Sequence, residues 1–154
     1  MKKLLLTIDL DVNDPVFGEM TDISKINYDE IVDKSHPQFN TPEELLDLRI
    51  GLISNELKKN DNNLLIGFAI NEKEHLNSLI SSISNTNYII SEIFLDDGSR
   101  RLQRAKEYEE EYKLHSRWLG YSPEEIEHMN NEFYKKVDDL VSEAKGLSIK
   151  CTKI

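Results

Sequence analysis

Four acidic residues follow two apolar segments of this chain. Asp9 and Asp11 come at the end of the first apolar run, and Asp96 and Asp97 come directly after Tyr88–Leu95. If the two segments form neighbouring parallel strands, these carboxylates meet at one edge of a sheet. Mg²⁺ prefers such oxygen ligands, together with water and phosphate. The pattern predicts that Asp96 and Asp97 bind Mg²⁺ and that Asp9 and Asp11 act on a substrate. Alternatively, these aspartates only form turns and helix caps.

A group of arginines follows the second acidic pair. Arg100, Arg101 and Arg104 lie within about one turn of a predicted helix, so two of them can share a face. Because a guanidinium binds phosphate through a bidentate fork, Arg100, Arg104 and the more distant Arg117 are predicted to bind phosphate. The alternative is that the arginines pair with Glu107–Glu111 on a solvated helix face.

The acidic motifs resemble those of phosphatases of the haloacid dehalogenase type. Asp9-Leu10-Asp11 is similar to the nucleophile motif of that family, and Phe94-Leu95-Asp96-Asp97 is similar to its metal-binding acid pair. The resemblance implies a Mg-dependent phosphatase in which Asp9 is the nucleophile and Asp11 the acid/base. The chain departs from the family after Asp11, where valine and asparagine replace glycine and threonine, and no Ser or Thr ends Leu64–Ile70.

The segment Asn63–Gly98 is predicted to form a strand, a helix and a second strand. Leu64–Ile70 and most of Tyr88–Leu95 are continuous apolar runs, which are typical of strands buried on both faces of a parallel sheet. Asn71 is expected to cap the intervening helix, with Glu74 completing a capping box. Two parallel strands joined by one helix form a right-handed βαβ unit. His75 is expected at the surface, and no histidines show metal-ligand spacing.

The remaining elements complete an alternating order of strands and helices. The patterns predict a first strand over Lys3–Leu10, a short second strand near Ile26–Tyr28 and a final edge strand from Leu147 to Cys151. They also predict two capped helices, from Thr41 to about Lys59 and from Ser122 to Gly146, and a helical region with the arginines after Gly98. This order predicts one α/β domain over residues 1–154, a three-layer sandwich with a mostly parallel sheet of four or five strands.

In order and spacing, residues 42–154 resemble the P-loop nucleotide and small-molecule kinases. Leu4–Ile8 would be their first strand, Ile89–Leu95 would precede their arginine region, and Arg117 would lie in or near the lid. The resemblance implies a domain that handles phosphate or nucleotides. The phosphate loop G-x-x-x-x-G-K-[ST] is absent, because Asp9–Gly18 contains one glycine, no lysine and three aspartates. We therefore expect no ATP-dependent phosphoryl transfer.

Composition restricts the partners and the compartment. The net charge of −10 disfavours nonspecific binding to nucleic acid or anionic membranes. The single cysteine, Cys151, allows no internal disulfide, and no apolar run approaches the roughly 20 residues of a membrane span. A cytoplasmic protein is expected, with a small phosphorylated ligand or a protein as partner. A non-enzymatic acidic interaction protein, a regulator or inhibitor, is the alternative, so the sequence leaves open whether the chain is an enzyme.

Overall fold

A computed structural model of the chain describes residues 1–35, 41–96 and 123–154. The elements in chain order are β1 Lys2–Thr7, a 3₁₀ helix Pro15–Phe17, β2 Ser24–Asn27, α1 Tyr28–Ser35, α2 Pro42–Lys59, β3 Leu64–Gly67, α3 Lys73–Ile83, β4 Tyr88–Leu95, α4 Pro123–Gly146 and β5 Lys150–Lys153.

The five strands form one sheet in the order β2-β3-β1-β4-β5, and every pair is parallel. β1 lies in the middle, hydrogen-bonded to β3 on one side and to β4 on the other. The predicted parallel sheet is confirmed, with five strands, and β5 lies at an edge as expected. The carboxyl ends of four strands therefore lie side by side at one edge of the sheet, in the order β2, β3, β1 and β4.

The larger hydrophobic core fills the space between the sheet and the α-helices. Residues of alternate positions on the strands face buried residues of α1, α2, α3 and α4. The almost completely buried members of this core include Leu4, Leu6, Leu64, Ile66 and Ile93 from the sheet, and Ile53, Leu57, Leu76, Leu79 and Leu140 from the helices. Each such buried side chain contributes about 1.5–3 kcal/mol through removal of apolar surface from water. These helices form one layer beside the sheet.

A smaller core lies on the opposite face of the sheet. There Leu5, Leu65 and Phe94 pack against Phe17 of the 3₁₀ helix, whose ring meets that of Phe94 edge-on at 5.3 Å, and against Leu10 and Val12 of the loop after β1. The whole is an α/β three-layer sandwich, as predicted.

Two predicted strands end earlier than their apolar runs. β1 stops at Thr7 and β3 at Gly67, because Asp9 and Phe68 adopt left-handed φ values of 57° and 54°. Apolar residues continue beyond both strands, since Ile8, Leu10, Ala69 and Ile70 remain buried in the connections. The side chains there serve the core while the backbone has already left the sheet.

The start of α2 is confirmed, whereas the predicted start of α3 is wrong. Thr41 Oγ1 accepts a hydrogen bond of 3.1 Å from the amide of Glu44, and Pro42 occupies the first helical position. In α3 the N-cap is Glu72, which makes no side-chain capping bond, and the amide of Asn71 instead donates to His75 Nδ1. None of the helices in the described ranges has the length and apolar character needed to cross a membrane.

Candidate functional site

The predicted pairing of the two acidic strand ends is present. β1 and β4 are parallel neighbours with Leu6 opposite Ile93, and the amide of Ile8 donates a 2.9 Å hydrogen bond to the carbonyl of Phe94. Asp9 and Asp96 follow directly, on adjacent strand ends. The chain leaves β1 towards β2 on one side and leaves β4 towards β5 on the other, so the crevice between these strands is a topological switch point.

A small pocket lies at this crevice, on the side of the helices. It encloses about 10 Å³, room for about one water molecule, and it is lined by Ile8, Asp9, Leu95, Asp96, Phe133, Tyr134 and Val137. The pocket is therefore too small to enclose a phosphate or a nucleotide. Asp97, the partner of Asp96 in the predicted metal pair, lies outside the described residues.

Asp11 lies on the other side of β1, away from this pocket. Its Oδ1 accepts hydrogen bonds from Asn27 Nδ2 at 2.9 Å and from the amide of Asn13 at 2.7 Å. These bonds stabilise the ionised form, so the pKa of Asp11 is lowered, chiefly by Asn27. The structure thus brings Asp9 and Asp96 together but directs Asp11 towards β2, so these three carboxylates do not meet as one set. Within the described residues, no group of three or more His, Cys, Asp or Glu side chains could hold a metal ion.

The loop after β1 is held tightly against the ends of β2 and β3. Thr7 Oγ1 donates to the carbonyl of Leu10 at 2.6 Å and accepts from the amide of Phe68 at 2.9 Å. Asn27 Oδ1 accepts from the amide of Val12 at 3.0 Å. Gly67 permits this approach, because a Cβ there would lie 2.0 Å from Asn27 Oδ1.

The predicted phosphate-binding arginines Arg100, Arg104 and Arg117 lie outside the described residues, as does Arg101. A different arginine reaches the carboxyl edge of the sheet. Arg49 of α2 donates from Nη1 to the carbonyls of Phe68 and Ala69, at 3.1 and 2.8 Å, and its guanidinium lies 4.1 Å above the ring of Tyr28. Burial lowers the pKa of Arg49, against the opposing effects of Tyr28 and Glu72.

A histidine lies beside this arginine. His75 is 8% exposed, so its predicted surface position is wrong. Its Nδ1 accepts a 3.2 Å hydrogen bond from the amide of Asn71, and its Nε2 lies 3.5 Å from Glu72 Oε1. Burial, followed by the charge of Arg49, lowers the pKa of His75 to about 4. The imidazole is therefore neutral at pH 7, and its contact with Glu72 is a polar contact rather than an ion pair; the other oxygen of Glu72 lies 3.5 Å from Lys136 Nζ of α4.

The sequence contains signals for both of these missed residues. Arg49 is spaced three residues after Leu46 and four before Ile53, so it falls on the apolar stripe of α2. His75 precedes Leu79 by four residues and falls on the apolar stripe of α3. A charged or titratable residue within such a stripe indicates a buried polar partner, and here the partners are strand-end carbonyls and the Asn71 amide.

No protein-family model matches this chain, and no curated protein does. Solved structures do match it, among them the tunicamycin resistance protein of Deinococcus radiodurans, with a TM-score of 0.50 and 9% sequence identity over 97% of this chain and 98% of that chain. At this identity the likeness shows the fold alone: both are α/β proteins of one overall architecture.

Proposed function

We propose that this protein handles a small phosphorylated molecule or a nucleotide at the carboxyl edge of its sheet, in the crevice between β1 and β4. The observation that carries the proposal is the position of Asp9 and Asp96 on neighbouring parallel strand ends, at the point where the connections diverge. Open parallel sheets bind their ligands at such points.

The donor groups suit Mg²⁺ bound together with a phosphate. Mg²⁺ is commonly held by one or two carboxylates, with waters and phosphate oxygens filling an octahedron. Asp9 and Asp96 supply two carboxylates to one pocket, and Asp97 is next in the chain. When bound, the ion would neutralise charge on the phosphate, while Asp9 and Asp96 would orient the ligand.

The architecture supports a kinase-like domain without ATP-dependent phosphoryl transfer. A phosphate loop holds its anion with free backbone amides. Here the amides of Val12, Asn13 and Asp14 donate instead to Asn27 Oδ1, Asp11 Oδ1 and the carbonyl of Asp11. The carboxylates of this loop would also repel a triphosphate.

Thermal unfolding with Mg²⁺ and a panel of nucleotides and sugar phosphates tests the proposal. A ligand at 100 times its dissociation constant stabilises the folded state by about 2.7 kcal/mol, which raises the Tm of a domain of this size by roughly 5–10 °C. Asp96→Asn should reduce the part of this shift that depends on Mg²⁺. Asp61→Asn is the matched control, because exposed Asp61 lies near the start of β3 and contacts Lys2 at 3.9 Å.

The outcomes separate the alternatives. If the Mg²⁺-dependent rise in Tm is unchanged in Asp96→Asn, Asp96 does not bind the metal. If no ligand produces a shift and a protein partner co-purifies with the chain, the proposal fails in favour of an acidic interaction protein. If the protein hydrolyses a phosphate monoester and Asp9→Asn abolishes this activity, the result would instead favour the phosphatase chemistry.

A further inference from the structure

Arg49 is held in one orientation at the carboxyl edge of β3. Nη1 donates hydrogen bonds to the carbonyls of Phe68 and Ala69, and the guanidinium carbon lies 4.1 Å from the centre of the buried ring of Tyr28. These contacts remove most of the rotamer freedom of an arginine, so little entropy remains to be lost when a ligand binds.

The charge of this guanidinium is only partly compensated. No carboxylate of the described residues lies within salt-bridge distance of Arg49. Burial has the largest effect on the pKa of Arg49 and lowers it, which shows that the guanidinium has lost much of its hydration. A largely desolvated cation is ordinarily paired. Glu72, whose charge raises the pKa of Arg49, lies 3.5 Å from Lys136, and His75 is neutral.

Three of the five N–H donors of Arg49, on Nε and Nη2, make no hydrogen bond within the described residues. In that same part of the chain, no buried side-chain nitrogen or oxygen lacks a partner, so Nε and Nη2, which make no hydrogen bond there, are not fully buried atoms. Nε and Nη2 present the edge of a guanidinium that takes an oxyanion in bidentate fashion.

We propose that Arg49 binds an oxyanion, a phosphate or a carboxylate group of the ligand, with Lys136 at its flank. Lys136 belongs to the same turn of α4 as Phe133 and Val137, which line the pocket between β1 and β4. A ligand in the crevice would thus extend along the edge from Asp9 and Asp96 to Arg49. The identity of the ligand rests on the proposed function, whereas the oxyanion site does not require the metal.

Titration of the protein with inorganic phosphate, and separately with acetate, at ionic strength held constant by chloride, tests the site. The wild-type Tm should rise with the concentration of the preferred anion. Arg49→Met should abolish this rise, and Arg49→Lys, which keeps the charge but lacks the fork, should weaken binding at least about tenfold. Lys58→Met is the matched control, because it removes one positive charge from an exposed position of the same helix.

A response to phosphate alone identifies a phosphate site, and a response to acetate identifies a carboxylate site. An unchanged anion response in Arg49→Met, or its equal loss in Lys58→Met, overturns the proposal. If Arg49→Met does not fold, the ¹⁵Nε resonance of Arg49 in wild-type protein decides: it should shift on addition of the anion, and a fixed resonance refutes the site.

The two proposals can fail separately. Nucleotide binding that depends on Asp96 but not on Arg49 would leave the proposed function standing and refute the oxyanion site. Phosphate binding that depends on Arg49 but is indifferent to Mg²⁺ and to Asp96→Asn would establish the oxyanion site and remove the metal from the function.

Discussion

His75 should make the protein less stable in mild acid. Its pKa is lowered to about 4 in the folded state, first by burial and then by the charge of Arg49, while Glu74 opposes this and Lys136 adds to it. In the unfolded chain the histidine has its ordinary pKa of about 6.5. Protonation therefore favours the unfolded state.

The sign and size of the effect follow from this difference. The stability due to neutral His75 is fully present above about pH 6.5 and is lost as the pH falls towards 4. At pH 5 the unfolded state is protonated and the folded state is not, so the loss is about 2 kcal/mol, since each pKa unit corresponds to about 1.4 kcal/mol. Below pH 4 the loss reaches about 3 kcal/mol.

Urea unfolding at pH 8 and pH 5 measures this loss, with His75→Gln as the perturbation. The variant cannot take up the proton, so its drop in unfolding free energy between the two pH values should be smaller than that of wild type by about 2 kcal/mol. His128→Gln is the control, because His128 is exposed on α4 and the same substitution there should leave the drop unchanged.

NMR measures the pKa and the tautomer of His75 directly. Because Nδ1 accepts from the Asn71 amide, the neutral tautomer should carry its proton on Nε2, towards Glu72. A titration midpoint of His75 at or above 6.5, or an equal pH dependence in His75→Gln and wild type, would refute the reasoning.

Two further substitutions test the loop that follows β1. Gly67→Ala would place a methyl group against Asn27 Oδ1 and should lower the unfolding free energy by about 2–4 kcal/mol, through overpacking and loss of a buried hydrogen bond. Gly51→Ala, in α2 with open space around it, should instead stabilise the protein by about 0.5–1 kcal/mol, and a loss at Gly51 comparable to that at Gly67 would contradict the steric argument. Thr7→Val removes a fully buried hydroxyl that bonds the amide of Phe68 and a carbonyl; denaturant unfolding should show a loss of about 2–4 kcal/mol, and a loss under about 0.5 kcal/mol would count against these bonds.

The parallel sheet was predictable because β3 and the carboxyl-terminal halves of β1 and β4 are buried on both faces and are therefore almost continuously apolar. β4 begins and ends where its apolar run does, at Tyr88 and Leu95, and its neighbour β1 follows a similar run, so the adjacency of Asp9 and Asp96 could be expected from pattern and topology. The residues at which β1 and β3 end could not be predicted in this way. They depend on left-handed φ values at Asp9 and Phe68 and on the bond from the Phe68 amide to Thr7 Oγ1, which joins residues about 60 positions apart in the chain.

Polar groups in the core were harder to predict than the apolar ones. The local pattern at Asn71 and Glu74 predicted a capping box, but the Asn71 amide donates to His75 because the buried imidazole needs a partner more than the solvated helix end does. The apolar stripe of α2 indicates that Arg49 is partly buried, but its partners follow from no local rule, since they are the carbonyls of Phe68 and Ala69, about 20 residues later in the chain. The carboxylates Asp9 and Asp96 were predicted from position, and their roles in binding stay predictions.

The central place of β1 in the sheet has a consequence for biosynthesis. The two hydrogen-bonding edges of this strand pair with β3 and β4, so in an emerging chain at least one edge of Leu4–Thr7 stays unpaired until residues up to 95 have left the ribosome. Until then an apolar strand with an open edge is exposed to other chains, a condition that favours aggregation and recruits chaperones. Slow translation before residue 95 should therefore lower the soluble yield, and faster completion of β4 should restore it.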